Sequence, residues 1–428
     1  MIWVTINIFP HDIKVKAKGD FMKAIINGKI ITEKEVLKNM AIIFDKEIVA
    51  IIDEDELINY SNSNSSKGIS SLAEGESYNH RPCQYEELEI IDAKGQYVGP
   101  GFIDIHIHGS GGKDTMDGDL EALKVISKTI AKNGVTGFLP TTMTMDKEHI
   151  YNAFKVIRIA MESKLEGAAV LGCHMEGPFI NKKYKGAQNP EHIIAPDFQF
   201  IKDYVDIIKI ITIAPEKDEN HNFLSKMKNH KEIVLSMGHS NATFEEAMES
   251  IKMGISHSTH VFNAMTPLNH REPGVVGAVF KSNITCELIA DTVHVHPGIY
   301  EVLNKVKGTD KLVLITDSMR AGCMKEGIYD LGGQEVLVKE GSARLNDGTL
   351  AGSILTLNEA VKNFYKHSNI EIYEAVNMAA LNPARVIGLD KYKGSLEVGK
   401  HSDIIIFDED FQVNKTIVGG QVLQFEEA

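Results

Sequence analysis

From about residue 97 onward, short runs of apolar, largely β-branched residues alternate with stretches whose apolar positions recur every three or four residues. The first kind reads as buried strands and the second as amphipathic helices, and their alternation predicts a parallel sheet with helical crossovers. Strands are predicted over 102–107, 137–141, 168–174, 207–213, 233–237, 255–261, 284–290 and 312–316, with helices over 120–132, 149–163 and 244–252 among the connections. Eight strands in this pattern predict an α/β fold, a closed (β/α)8 barrel of the TIM type. The two ends of the chain read differently. From Met22, MKAIINGKIITEKEVLKNMAIIFDKEIVAIID predicts short strands that turn at Asn27-Gly28 and around Asp45-Lys46. After helical stretches near 354–366 and 372–380, SLEVGKHSDIIIFDEDFQVNKTIVGGQVLQF returns to strands and turns. The two ends are therefore expected to form one small β-sandwich domain, residues 22–98 and 386–428, beside a barrel over 99–385. Residues 60–82 are Ser/Asn/Gly-rich without periodicity and read as a surface loop. Residues 1–21 read as a dispensable extension, with Met22 the expected natural start.

Composition narrows the partners. The 428 residues carry 45 Lys plus Arg against 59 Asp plus Glu, a formal charge of −14. With no long run of Lys and Arg to oppose that field, a nucleic-acid surface is disfavoured, and any phosphate bound must be small. The 43% apolar and 24% charged content is that of an ordinary globular chain. Cys83, Cys173, Cys286 and Cys323 are widely spaced and form no CxxC pair, and the opening segment does not read as a secretory leader. The expected compartment is the reducing cytoplasm, without a disulfide framework. Apolar runs fall short of the roughly 20 residues that a membrane span needs.

On this fold the working groups sit at the C-terminal ends of the strands. His106 and His108 end the first predicted strand, Glu176 follows the third, His239 the fifth, His260 ends the sixth, His294 follows the seventh and Asp317 ends the eighth. The spacing His106-Ile107-His108 puts both imidazoles on one face of a strand. A lone pair of that kind is weak evidence, and His239 or His260 taken alone is an ordinary core histidine. Several strand ends offering imidazole and carboxylate together predict a divalent-metal site, with Glu176, His239 and His260 a His2Glu set that leaves positions open for water. Asp317, after the apolar run LVLIT, is expensive to bury unless it meets a metal, a proton partner or good donors, and reads as a general acid/base.

The chain is similar to the amidohydrolase superfamily through GPGFIDIHIHG, HMEGPFI, MGHSNAT, THVFNAMTPLNHREPGVVGA, IADTVHVHP, LITDSM and GTLAGS. Within it, the chain resembles the branch that removes acetate from N-acetylglucosamine 6-phosphate, from about Met22 to the C-terminus. The resemblance implies one or two divalent metal ions per subunit, zinc, iron and manganese all being admissible. Glu176, His239 and His260 would hold the essential ion, His106 and His108 a second, and Asp317 would act as the catalytic acid/base. It further implies substrate contacts from Ala187, Gln188, Asn263, Ala264, Arg271, Asp291, Thr292, Val293, His294, Leu350, Ala351 and Gly352, with Arg271 and His294 toward phosphate and sugar. Some relatives carry His where Gln188 stands. A homodimer, with site residues shared across its interface, is expected on the same ground. Another amidohydrolase chemistry, on a cyclic amide or by ring deamination, and a non-catalytic scaffold remain the competing readings.

Overall fold

The computed structural model describes residues 2–6, 13–17, 22–57 and 88–425. Its centre is a parallel sheet whose strands follow one another in chain order. These are β1 (Phe102–Ile107), β2 (Val135–Thr142), β3 (Cys173–Glu176), β4 (Ile208–Ile213), β5 (Val234–Met237), β6 (His257–Ser258), β7 (Thr285–Ile289) and β8 (Leu312–Ile315). The ring closes where the backbone N–H of Asp317 donates to His106 (2.9 Å) and those of His108 and Gly109 donate to Ser318 (2.9 Å each). The predicted TIM-type barrel is therefore present.

Helices follow the strands in turn: α1 (Leu120–Ala131), α2 (Lys147–Glu162), α3 (Phe198–Ile201), α4 (Asn222–Met227), α5 (Phe244–Met253), α6 (Gly274–Lys281), α7 (Tyr300–Lys307) and α8 (Leu357–Lys366). Their starts are written locally. Asp119 and Asp146 cap α1 and α2, and Thr243 with Glu246 forms a capping box at α5. In β1 all six residues are buried, and period-two alternation turns Ile103, Ile105 and Ile107 one way and Asp104 and His106 the other. That alternation carries polar groups into the barrel while an apolar shell packs against the helices.

Two predicted strands are shorter than expected. The third is interrupted at Gly172, whose φ of +146° breaks the extended chain, so Ala169–Val170 stands apart from β3. The sixth shrinks to His257–Ser258 because the backbone turns left-handed at His260 and Phe262. A three-stranded antiparallel sheet, Gly327–Leu331, Gln334–Lys339 and Ser342–Leu345, is inserted between β8 and α8 and was not expected. Its signal was present in the alternating burial of those strands and the glycine turns at Gly332-Gly333 and Gly341.

Both chain ends build the small β unit. One sheet orders Gln421–Val422, Val413–Val418, Ile404–Phe407, Tyr97–Pro100, Lys29–Ile31 and Val36–Leu37; the other orders Ile48–Asp53, Met40–Phe44, Lys23–Ile26 and Glu89–Asp92. Ile25, Ile42 and Phe44 of the second share a core with Ile30, Val98, Ile404 and Ile406 of the first, a sandwich. Ile2–Ile6 and Ile13–Ala17 form an antiparallel pair that joins no other described strand. The predicted loop at 60–82 lies outside the described residues, as does Cys83. Among the described residues no helix is long and apolar enough to cross a membrane.

Candidate active site

The predicted residues meet at the C-terminal mouth of the barrel. His106 ends β1, Glu176 ends β3, and His239, His260 and Asp317 stand just past β5, β6 and β8. These last three adopt positive φ, +48°, +24° and +49°, a conformation that is uncommon outside glycine and that lifts each side chain off the strand line into the mouth. Such strain persists only where the surrounding structure enforces it. For Asp317 it is enforced by the barrel closure and by the N–H of Ser353, which donates to its carbonyl at 2.8 Å.

Glu176 is the hub. Its Oε1 lies 3.1 Å from Nε2 of His239, 3.1 Å from Nε2 of His260 and 3.4 Å from Nε2 of His106, while the two former nitrogens are 3.1 Å apart. Its Oε2 lies 3.3 Å from Nε2 of His108 and accepts from the Gln188 amide at 2.6 Å. Asp317 Oδ1 stands 3.3 Å from Nε2 of His108 and 3.5 Å from Nε2 of His106. Behind them three of the four rings are held by their other nitrogens, Nδ1 of His260 being buried without a hydrogen bond. Nδ1–H donates to Glu287 in His106 (2.9 Å), to the Thr141 carbonyl in His108 (3.2 Å) and to the Tyr184 carbonyl in His239 (2.8 Å). That support is how metal-ligating imidazoles are aimed, because it leaves the Nε2 lone pair facing inward.

The electrostatics agree with a cation site. Burial disfavours charge on His108, yet the hydrogen bonds and charges of Asp317 and Glu176 outweigh it and push the imidazole up to about 10. His106 is likewise raised, against burial, by Glu287, Asp317 and Glu176. Glu176 resists burial through His239 and His106 and is held well below the usual carboxylate range, and Asp317 is lowered through His106 and His108. These carboxylates stabilise positive charge strongly, whether supplied by protons or by a metal ion. Among the described residues three triads have the compactness to hold one: His106, His108 and Glu176, and Glu176, His239 and His260, at the mouth, and His106, His174 and Glu287 below it; Nε2 of His106 is buried without a hydrogen bond. The donor set fits a divalent ion.

Above this floor opens a cavity of about 480 Å³, a size suited to a small molecule. His108, Glu176, Gln188, His239, His260 and Asp317 line it, together with Ala187, Asn263, Ala264, His294, Leu350 and Gly352. A larger hollow of about 1270 Å³ beside Lys23, Glu89 and Gln421 gathers none of the predicted residues, so size alone does not mark the site. His294 is set by Asp291, whose Oδ2 accepts from Nδ1 at 2.6 Å and whose Oδ1 accepts from the N–H of Val293 and of His294. Asp291, Thr292, Val293 and Ala351 support the wall without lining it. Arg271 is exposed and lies outside this cavity.

The structure adds residues that the sequence reading passed over. Glu287, His257 and His174 are fully buried below the mouth; Glu287 stands between apolar neighbours in the middle of β7, His174 between Cys173 and Met175 in β3, and His257 opens the His-Ser pair of β6. A carboxylate in the middle of TCELIA was the available signal. Lys183, Leu331, Arg344 and Thr349 also line the cavity, the last three from the inserted sheet and its following turn. That sheet is tied to the floor, because Gln334 donates to the carbonyl of Ala187, next to Gln188.

Comparison with known proteins places this arrangement. Residues 97–423 match the amidohydrolase family. The chain is 40% identical over 382 residues to N-acetylglucosamine-6-phosphate deacetylase of Bacillus subtilis, covering 87% of this chain and 95% of that protein. It is 41% identical over 340 residues to the Lysinibacillus sphaericus protein of the same name, covering 78% and 87%. The crystal structure of N-acetylglucosamine-6-phosphate deacetylase from Pasteurella multocida superposes with a TM-score of 0.82 at 34% identity, over 94% of this chain and 99% of that one.

Proposed function

The chain belongs to the amidohydrolase family, and from that premise we propose that it hydrolyses the acetamide of N-acetylglucosamine 6-phosphate, releasing acetate and glucosamine 6-phosphate, with Asp317 as the acid/base. The observation that carries this reading is the convergence of His239 and His260 Nε2 on one oxygen of Glu176 at the cavity floor, with Asp317 beside them. Glu176, His239 and His260 would hold the essential divalent ion, and His106 and His108 a second. When bound, the ion lowers the pKa of water and polarises the amide carbonyl.

The remaining steps belong to the chain's own groups. Asp317, kept ionised by the neighbouring imidazoles, accepts the proton of the attacking water and delivers it to the departing nitrogen. Gln188 gives one amide hydrogen to Glu176 and accepts the N–H of Thr144 at 2.7 Å, so it steadies the hub at the same wall where substrate enters. His294, with Nδ1 taken by Asp291, offers Nε2 to the sugar phosphate. Asn263, Ala264, Leu350 and Gly352 shape the pocket around the sugar, with Ala187, Asp291, Thr292, Val293 and Ala351 completing or backing it.

Arg271 gains a role in a homodimer, where it would reach a neighbouring copy's phosphate, since a guanidinium matches phosphate with paired donors. Ile299, Val302 and Val306 support that assembly by exposing an apolar stripe at and along α7. Barrel residues 99–385 and the β unit 22–98 with 386–428 are the domains of this reading. The cytoplasm is its compartment, in keeping with the free buried thiols of Cys173 and Cys286.

The test is metal analysis of the purified protein combined with an assay for glucosamine 6-phosphate release. The expected result is metal at one or two equivalents and turnover of N-acetylglucosamine 6-phosphate that stops on chelation and returns with added ion. Metal-replete protein that ignores this substrate while opening a cyclic amide or deaminating a ring would overturn the reading. Light scattering checks the dimer, and a fully active monomer would remove it.

A further inference from the structure

Directly beneath the mouth lies a carboxylate that the chemistry above does not use. Glu287 sits in the middle of β7 with no exposed surface. Its Oε2 accepts Nδ1–H of His106 at 2.9 Å and the backbone N–H of His260 at 3.0 Å, and its Oε1 stands 3.4 Å from Nε2 of His257. His257 is in turn fixed by Thr285, whose hydroxyl is 2.6 Å from Nδ1. One oxygen thus touches both triads at the mouth, one through a ring and the other through a main chain.

We propose that Glu287 is the positioning residue that sets the two halves of the metal site relative to each other. The inference rests on the reading of Glu176, His239, His260, His106 and His108 as ligands. On His106 its effect is tautomeric: with Nδ1–H given to Glu287, the ring presents a bare Nε2 toward Glu176 and Asp317. On His260 its effect is conformational. The N–H held by Glu287 belongs to a residue at φ +24°, a backbone that relaxes unless something enforces it, and that backbone aims Nε2 at Glu176 and at His239. A neutral amide in the same place keeps the shape but loses the charge-assisted bonds, and it turns a donor toward either His106 or His257. A buried carboxylate is expensive unless its partners repay it, and here those partners are the supports of the ligands.

The experiment uses Glu287→Gln in the full chain, with Zn²⁺ alone as the probe. Bound zinc is measured after dialysis against buffers of fixed free Zn²⁺, thermal melting is followed on the metal-free protein, and kcat and KM are measured at low and saturating zinc. The expected result is zinc affinity lower by about 10- to 100-fold. Melting of the metal-free protein should stay close to that of the unaltered chain, KM should be unchanged, and kcat should be partly restored by added zinc. A merely structural role would lower melting without moving zinc affinity at matched folding, and that outcome overturns the proposal. If Glu287→Gln does not fold, Glu287→Asp keeps the charge but withdraws it by one methylene. It is expected to lose zinc affinity by the same order, and zinc binding equal to the unaltered chain's would overturn the proposal. Absence of zinc binding by the unaltered chain would sink the metal reading and this inference together, whereas strong binding by both chains sinks this inference alone.

Discussion

The barrel interior holds two polar layers built from the same residue types, and they behave in opposite ways. The upper layer, around Glu176 and Asp317, opens on the cavity and crowds imidazole nitrogens against carboxylate oxygens. The lower layer is sealed, and around His174 its groups are paired off in a chain. His174 donates from Nδ1 to the Ile105 carbonyl at 2.9 Å, its Nε2 is 2.7 Å from the Thr212 hydroxyl, Thr212 continues to Thr259 (2.7 Å), and Thr259 to Ser236 (2.6 Å). Burial, followed by the charge of His106, pushes His174 down to about 3, so it stays a neutral spacer. The difference teaches that histidine and glutamate in a barrel are not chemistry by themselves. Access, and the crowding of several imidazoles on two carboxylates, separate a reactive layer from a supporting one.

Substitutions in the two layers should therefore fail in different currencies of measurement. The largest effect is expected from Glu176→Gln, which removes the hub. Bound metal and activity should both disappear, with melting of the metal-free protein little changed, and retention of metal would break the contrast. Asp317→Asn comes next. With metal retained, kcat should fall by about 10²- to 10⁴-fold, the usual contribution of an acid/base group, and near-normal turnover by a fully metallated variant would remove Asp317 from its role. The double change His106→Gln with His108→Asn should lower metal content by up to one equivalent and spare part of the activity; loss of all metal would reverse the assignment of the essential ion. The smallest functional effect belongs to the lower layer. Thr212→Val strands Nε2 of His174 without its partner, which costs about 1–3 kcal/mol of stability, seen in denaturant unfolding, while metal content and kcat hold. A metal-depleted Thr212→Val would merge the two layers into one.

The upper layer was legible in the sequence and the lower one was not, for a physical reason. A polar residue at the end of an apolar run is visible as an interruption of the pattern, as with Asp317 after LVLIT, and the barrel rule says what such ends do. Glu287 and His174 lie within runs, where one inward-facing polar residue among buried neighbours leaves the average untouched. Their partners come from other strands, so no local spacing reveals the pairing. The inserted sheet escaped for a similar reason. Two of its outward positions, Ile328 and Leu337, are apolar and blur the alternation, and its few inward residues, Leu331, Val336 and Val338, find a core in contact with residues such as Met143, Ala187 and Met319 from elsewhere in the chain. Arg271 shows the converse. Its residue type was read readily, yet a single chain gives it no place in the cavity.

The pairing of Tyr97–Pro100 with Ile404–Phe407 imposes a timetable on the protein's birth. One flank of the earlier strand is covered at once by Lys29–Ile31, but the other waits until about 300 more residues have left the ribosome. At roughly 5–20 residues per second that interval is about 15–60 seconds, during which an open strand edge is available to any neighbouring chain. The barrel's own closure, Asp317 against His106, falls due earlier in the same wait. Translation stopped short of residue 404 leaves that edge permanently bare.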